Sequence, residues 1–169
     1  MPDKISIGIL TEAEIPVIIQ VVGSSGNPRK PEYYRQCLDE QDKQERIVLI
    51  ARYGGCFAGQ AHLIFQSKYP FFRDNRIPEI NDLLVIPEYR KHGVATALMA
   101  DAESRLHGKF HTVGLGVGLY PDYGYAQKLY VKLGYVPDGN GVCYHNIAVV
   151  PGMSVTFDDD LLMYFIKTL

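Results

Sequence analysis

The chain alternates between a period of two and a period near 3.6. "KISIGIL" (4–10) is apolar at every second position, as a half-buried strand is. "TEAEIPVIIQVV" (11–22) takes helical spacing and opens with Thr11 and Glu14, the arrangement of a capping box. Pro16 is expected to weaken that helix near its first turns, because it lacks an N–H. "SSGNPRKP" (24–31) reads as a loop and "EYYRQCLDEQDK" (32–43) as a second, polar helix. "RIVLIARYGGCFAGQAHLIF" (46–65) is two strand patterns joined at Gly54–Gly55, a hairpin signal.

"QSKYPFFRDNRIP" (66–78) is aromatic and net basic, and reads as a longer loop that could serve as a lid or substrate wall. "EINDLLVI" (79–86) is the next strand, ended by Pro87. The helix after it sets Ala95, Leu98, Met99, Ala102 and Leu106 on one face and ends near Gly108. "HTVGLGVGLY" (111–120) is a glycine-broken strand, "YGYAQKLYVKLGY" (123–135) a helix closing at Gly134, and "DLLMYFIKTL" (160–169) a last strand. The order β-α-α-β-β-β-α-β-α-β-β predicts an α/β layer architecture with a mixed sheet. Antiparallel hairpins come early, and strand–helix–strand units follow.

Composition narrows the classes. No repeat or low-complexity linker divides the 169 residues, so residues 1–169 are expected to form one domain. Apolar residues make up 47% and charged residues 21%, an ordinary globular balance. A net charge of −2 offers no general attraction to nucleic acid or to an anionic membrane, so neither is expected as a partner. No apolar run approaches the ~20 residues that span a bilayer. "MPDKISIGIL" lacks the apolar core and cleavage site of a signal peptide, and a cytoplasmic location is expected. Cys37, Cys56 and Cys143 are too few and too scattered for a disulfide scaffold or a zinc site, and read as reduced, small hydrophobes.

The chemistry concentrates in "EYRKHGVA" (88–95), where Arg90, Lys91 and His92 precede a glycine at a helix start. Cations there oppose the helix dipole unless an anion joins them. Unpaired N–H groups, close backbone approach at Gly93 and a hydroxyl from Thr96 together make a pyrophosphate cradle. The rival reading is a solvated helix start with surface cations and a turn glycine. A Walker motif is absent. The glycines of "GLGVGL" (Gly114, Gly116, Gly118) lie inside a strand, with the wrong spacing for a dinucleotide fingerprint.

With these residues in view, "L-x-V-x-P-x-x-R-x-x-G-x-A" (Leu83, Val85, Pro87, Arg90, Gly93, Ala95) resembles the acetyl-CoA signature of the GNAT superfamily of N-acyltransferases. "AQKLYVKLGY" (126–135) resembles the second motif of that family, "A-x-x-L-Y-x-K-x-G-[FY]", at the expected distance. The resemblance covers nearly the whole chain and implies a GNAT-like mixed, mostly antiparallel central sheet flanked by helices. It implies that Arg90, Lys91, His92, Gly93, Val94, Ala95 and Thr96 cradle the coenzyme pyrophosphate. The backbone of Leu84 and Val85 would pair with the pantetheine arm like an added strand, with Ala126 at the second coenzyme motif. Tyr123 departs from the asparagine many members carry there.

Acyl transfer to an amine needs a base, a polarised carbonyl and a proton for the leaving thiolate. Glu79, eleven residues before Arg90, matches the catalytic glutamate of some members; Asp82, three residues along, is its rival and lies on the opposite face of an extended strand. Either could equally be a solvated carboxylate at a strand end. Tyr130 matches the family tyrosine that protonates the coenzyme sulfur, although Ala126, Leu129, Tyr130 and Leu133 also share a helical core face. The oxyanion donor would be a backbone N–H near Val85. Cys143 and His145 alternate onto one strand face, but no third group orients a thiol nucleophile there. His62, His107 and His111 show no ligand spacing, and no metal is proposed.

The expected function is transfer of the acetyl group of acetyl-CoA to a primary amine by direct attack in a ternary complex. A small-molecule amine is the first choice of acceptor, a protein N-terminus or lysine the second. A non-catalytic acetyl-CoA-binding module is the competing class, and a homodimer is compatible with the sequence. "FDDD" (157–160) could steer a cation or be a solvated turn.

Overall fold

The computed structural model describes residues 4–26 and 28–169. The leader reading includes Met1, Pro2 and Asp3, and the loop reading at 24–31 includes Asn27; these four lie outside the described residues. The strands are β1 (Ile5–Ile9), β2 (Arg46–Tyr53), β3 (Cys56–Ile64), β4 (Glu79–Val85), β5 (Thr112–Gly118), β6 (Val136–Tyr144), β7 (Ile147–Ala148) and β8 (Leu161–Thr168). The helices are α1 (Ile15–Ser24), α2 (Pro31–Asp42), α3 (Pro70–Asp74), α4 (Val94–Leu106) and α5 (Gly124–Lys132). The expected order holds, with α3 and β7 added. The chain divides into two compact units, one holding the residues up to Phe65 with Ile80–Arg105, the other Gln66–Glu79 with Leu106–Leu169.

In the first unit the strands run in the order β1-β2-β3-β4. β1 and β2 pair antiparallel with Ile7 opposite Ala51, and β2 pairs β3 with Leu49 opposite Ala61. Four consecutive residues of β2, Val48 to Ala51, are buried, so both faces of this strand are covered. Ile15, Ile18, Val22, Tyr34 and Cys37 of α1 and α2 pack with Val48, Ile50 and Phe57. Pro16 does not weaken α1. A 3-10 turn over Glu12–Glu14 precedes the helix, and the proline falls in its first turn, where the missing N–H has no intrahelical acceptor to lose. Glu14 accepts both the N–H and the hydroxyl of Thr11, each at 2.9 Å. α4 buries Val94, Leu98, Met99, Ala102 and Leu106; Val94 takes the place expected for Ala95, which is half-buried.

In the second unit the order is β5-β8-β6-β7, all antiparallel. The glycines of β5 have a packing reason. A Cβ on Gly114 would lie 2.2 Å from the Phe72 ring, one on Gly116 2.9 Å from Tyr164, and one on Gly118 2.3 Å from Tyr123. Residues 114, 116 and 118 share a face, so the bare strand is a seat for three aromatic rings.

Those rings overturn the lid reading of 66–78. Ser67, Tyr69, Phe72, Ile77 and Pro78 are buried, and Tyr69, Phe72 and Ile77 join Cys143 and Tyr164 in one hydrophobic cluster. The Tyr69 and Tyr164 rings stack 3.7 Å apart, and Phe72 meets Tyr164 edge-on at 5.2 Å. The stretch is aromatic because it is core. Opposite Tyr164, β6 carries an excess loop: Pro137 pairs Phe165 and Val142 pairs Met163, leaving 138–141 unpaired.

Candidate active site

The end of β4 leads directly into the cationic loop. A Cβ on Gly59 would lie 2.4 Å from the Leu84 carbonyl oxygen, so glycine there lets β3 approach β4 closely. Leu84 and Val85 are half-buried, and the Ile86 N–H donates to the Ala58 carbonyl at 2.9 Å. A 3-10 turn over Pro87–Tyr89 follows. Lys91 and Gly93 then adopt φ of +64° and +88°, which turns the chain into α4. The Gly93 carbonyl accepts the N–H of Ala97 at 2.9 Å, so Val94, Ala95 and Thr96 present first-turn N–H groups with no intrahelical acceptor. Arg90, Lys91, His92, Gly93 and Thr96 are exposed, while Val94 is buried.

Exposed cations beside unpaired amides and a left-handed glycine form a donor set suited to a pyrophosphate. Arg90 Nε donates to the Val85 carbonyl at 3.3 Å, tying the first cation to the strand end. His92 has a second task, since its ring lies 5.3 Å from Tyr53, which also meets Tyr89 at 5.6 Å. Tyr53 anchors this loop from β2, and nothing in its hairpin pattern announced that. Lys4, Ile5, Ile7, Tyr53, His92 and Ala97 line an open cleft of about 370 Å³ beside the start of α4.

Glu79 lies in the second unit and is 6% exposed. Ser67 Oγ donates to its carboxylate at 2.5 Å and accepts the Tyr69 N–H at 3.0 Å. Tyr69 donates its hydroxyl to Asp138 at 2.8 Å, and Asp138 also accepts from the backbone and side chain of Asn140 in the β6 loop. Burial and the charge of Glu79 push the Tyr164 hydroxyl up, and that hydroxyl donates to Asn146 at 2.6 Å. Sequence reading missed Ser67, Tyr69 and Asp138. Ser67 is a common residue twelve positions from Glu79, with no motif around it.

Asp82 lies in the first unit with a different set of partners. Its φ of +49° breaks the extended geometry, so the strand alternation that assigned its face does not apply. Arg29 donates to its carboxylate at 2.5 Å, and Tyr33 and Gln60 each donate at 2.8 Å. Burial raises the pKa of Asp82, against the pull of the Arg29 charge and the hydrogen bonds from Tyr33 and Gln60. His62, fully buried, completes the cluster with Nε2 at 3.6 Å from Asp82. Arg46 can only donate, so its 2.7 Å contact makes His62 Nδ1 an acceptor. Burial first, then Arg46 and Arg29, depress the pKa of this histidine to about 3.

Tyr130 and Ala126 lie on α5. Tyr130 is 7% exposed, and burial pushes its hydroxyl up to about 12, which keeps the phenol protonated near neutrality. α5 ends as expected at Gly134, φ +90°, where the Tyr135 N–H returns to the Tyr130 carbonyl at 3.0 Å. Tyr123 packs against Gly118 and donates to Asp159 at 2.8 Å, while Gln127 donates to the Gly118 carbonyl at 2.8 Å. The shared strand face of Cys143 and His145 is not found: Cys143 is buried in β6, whereas His145 is exposed beyond its end with φ +49°. All three cysteines are free, Cys37 and Cys143 buried and Cys56 exposed. Among the described residues no group of His, Cys, Asp and Glu could hold a metal ion, and no helix is long and apolar enough to cross a membrane.

The fold that carries this strand end, cationic glycine loop and exposed helix start has counterparts. Residues 18–135 match the acetyltransferase (GNAT) family. The chain belongs to that family. This GNAT protein is an acetyl-CoA-dependent N-acetyltransferase with an α/β, mostly antiparallel fold. Among solved structures it resembles the ribosomal-protein-alanine N-acetyltransferase of Brucella melitensis, at 20% identity and a TM-score of 0.70 over 97% of this chain and 99% of that one. yncA of Salmonella typhimurium, solved with acetyl-CoA, matches at 16% identity and a TM-score of 0.69 over 98% and 94%. A variant of the spermidine N-acetyltransferase SpeG of Vibrio cholerae matches at 13% and 0.68 over 98% and 94%. At such identities the likeness speaks for the fold. Among curated proteins none matches the chain in sequence.

Proposed function

We propose that this acetyltransferase acetylates a small-molecule primary amine, with Glu79 as base and Tyr130 as acid. The observation that carries the reading is the buried Glu79 carboxylate, held by a 2.5 Å hydrogen bond from Ser67 beside the Tyr69–Tyr164 stack. A carboxylate beside aromatic rings suits a cationic amine and can take its proton. The ammonium proton leaves to solvent first, so that a neutral nitrogen attacks, and Glu79 accepts the proton that nitrogen sheds as it bonds to the thioester carbonyl. Tyr130 gives its hydroxyl proton to the thiolate released when the carbon–sulfur bond breaks. A phenol lifted to about 12 is protonated at pH 7 and so able to do this. The first-turn amides of α4, with Arg90, Lys91, His92 and Thr96, hold the pyrophosphate of acetyl-CoA, and the Leu84–Val85 backbone receives the pantetheine arm. Asp82 is set aside as base because Arg29, Tyr33 and Gln60 already occupy its carboxylate.

A polypeptide acceptor is the second reading, and one observation favours it. The segment between β6 and β8 exposes Ile147, Val150, Met153 and Phe157, apolar groups that a peptide could cover. CoA release measured with spermidine and with an alanine-terminated peptide separates the two. Faster turnover of spermidine supports the small amine, and faster turnover of the peptide overturns it. Replacing Tyr130 by Phe should lower kcat with little change in acetyl-CoA affinity, and an unchanged kcat removes Tyr130 from the acid role.

A further inference from the structure

Ser67 takes no step of its own in the chemistry described so far, yet its hydroxyl is fully committed. It is 3% exposed, sits twelve residues before Glu79, and lies in a stretch otherwise given to aromatic packing. The Tyr69 N–H donates to Ser67 Oγ at 3.0 Å, a local turn bond that orients the hydroxyl. With that lone pair engaged, the hydroxyl proton points along the 2.5 Å contact to Glu79. Tyr69 is itself pinned at its far end, where its phenol donates to Asp138 at 2.8 Å. Its ring is clamped 3.7 Å from Tyr164. Asp138 is fixed in turn by the Asn140 N–H at 2.9 Å and the Asn140 amide at 3.0 Å. One rigid path runs from the β6 loop through Tyr69 and Ser67 to the carboxylate.

We propose that Ser67 is a positioning residue that fixes the Glu79 carboxylate for proton transfer, with Tyr69 and Asp138 as its support. This rests on the reading of Glu79 as the base. A charged acceptor of a hydrogen bond gains more from a fixed donor than a neutral one, so a single hydroxyl suffices to select one rotamer of a buried glutamate. The donor must be short and rigid, because a base misplaced by about 1 Å loses on the order of a hundredfold in rate. Serine held by its own turn meets both conditions.

The test is a double-mutant cycle on Ser67 and Glu79, assayed by CoA release with spermidine and with an alanine-terminated peptide, beside a substrate-free measurement. Ser67→Ala is expected to lower kcat roughly tenfold or more with acetyl-CoA affinity unchanged, and Ser67→Thr to restore most of it. In the Glu79→Gln background Ser67→Ala should cost nothing further, whereas a general packing role would cost the same in both backgrounds. Equal losses in the two backgrounds overturn the proposal. The substrate-free measurement is the carbon-13 signal of the Glu79 carboxyl at fixed pH, assigned by its disappearance in Glu79→Gln. It should move in Ser67→Ala and return in Ser67→Thr, and a signal that stays in place in folded Ser67→Ala overturns the proposal without touching the base reading. Conversely, full kcat/KM in Glu79→Gln removes the base reading itself and the catalytic half of this proposal with it, even if the carboxyl signal behaves as expected.

Discussion

Glu79 and Asp82 are three residues apart in sequence and belong to different worlds. Asp82 faces a guanidinium at 2.5 Å and two further donors from Tyr33 and Gln60, and its own φ of +49° bends the strand to meet them. Glu79 is held by a serine hydroxyl, in a cluster of stacked tyrosines. A carboxylate paired with an arginine has its charge answered by the protein, and a proton added there breaks an ion pair. A hydroxyl donates a hydrogen bond to a carboxylate without bringing a counter-charge of its own. The contrast makes Asp82 a keystone of its unit, and it is why Glu79 rather than Asp82 is proposed as the base.

The largest expected effect separates them most sharply. Glu79→Gln should lower kcat/KM by about 10²–10⁴-fold. Ser67 can still donate to the new amide oxygen, so the thermal midpoint should hardly move. Asp82→Asn should do the reverse, costing roughly 3 kcal/mol of stability by leaving Arg29 without its counter-charge. Denaturant unfolding reads that loss, and kcat of the folded fraction should stay within a few-fold of the parent. If the effects are exchanged, the assignment of base and keystone is exchanged with them.

Acid sharpens the same comparison through His62. Its folded pKa of about 3 lies below the ordinary histidine value of 6.5, so below pH 6.5 the unfolded chain takes up a proton that the folded chain refuses. The stability from the neutral, buried ring is present in full above pH 6.5 and is lost as pH falls toward 3, at up to ~1.4 kcal/mol per pH unit. Between pH 6.5 and 5 this amounts to about 2 kcal/mol. His62→Gln should flatten the dependence by one proton, measured as the slope of unfolding free energy against pH. A slope identical to the parent's would show that the Asp82 cluster is not the acid-sensitive part of the fold.

What the sequence reveals and what it conceals follow from distance along the chain. The proposed coenzyme loop is legible because Leu84 to Thr96 is one local unit, in which strand end, positive-φ glycine and helix start each leave their mark. Helix α5 and its stop at Gly134 are legible for the same reason. The Asp82 cluster is not, since Arg29 lies 53 residues away and makes its contact through tertiary packing. The Ser67–Glu79 bond spans a stretch whose aromatic composition suggested a lid or substrate wall; its Phe72 instead fills the space opened by Gly114 on a distant strand, and its Tyr69 stacks on Tyr164. Period-two reasoning about Asp82 failed at one backbone angle. His145 failed similarly, one residue past the end of a strand.

The smallest expected effect concerns Arg90, which lies outside both carboxylate clusters. Its side chain is exposed, and its hydrogen bond to the Val85 carbonyl is long at 3.3 Å. Replacing it by Ala removes one of several cations around the helix start while leaving the amides of Val94, Ala95 and Thr96 in place. Acetyl-CoA binding should therefore weaken only about three- to tenfold, with the loss shrinking as salt is raised, because exposed charges are screened. Titration calorimetry at low and high salt reads both quantities. Stability and its pH dependence should match the parent, since neither Asp82 nor Glu79 is touched. A larger loss would mean that the side chain rather than the backbone carries the pyrophosphate, and an unaltered Kd would remove Arg90 from the coenzyme site.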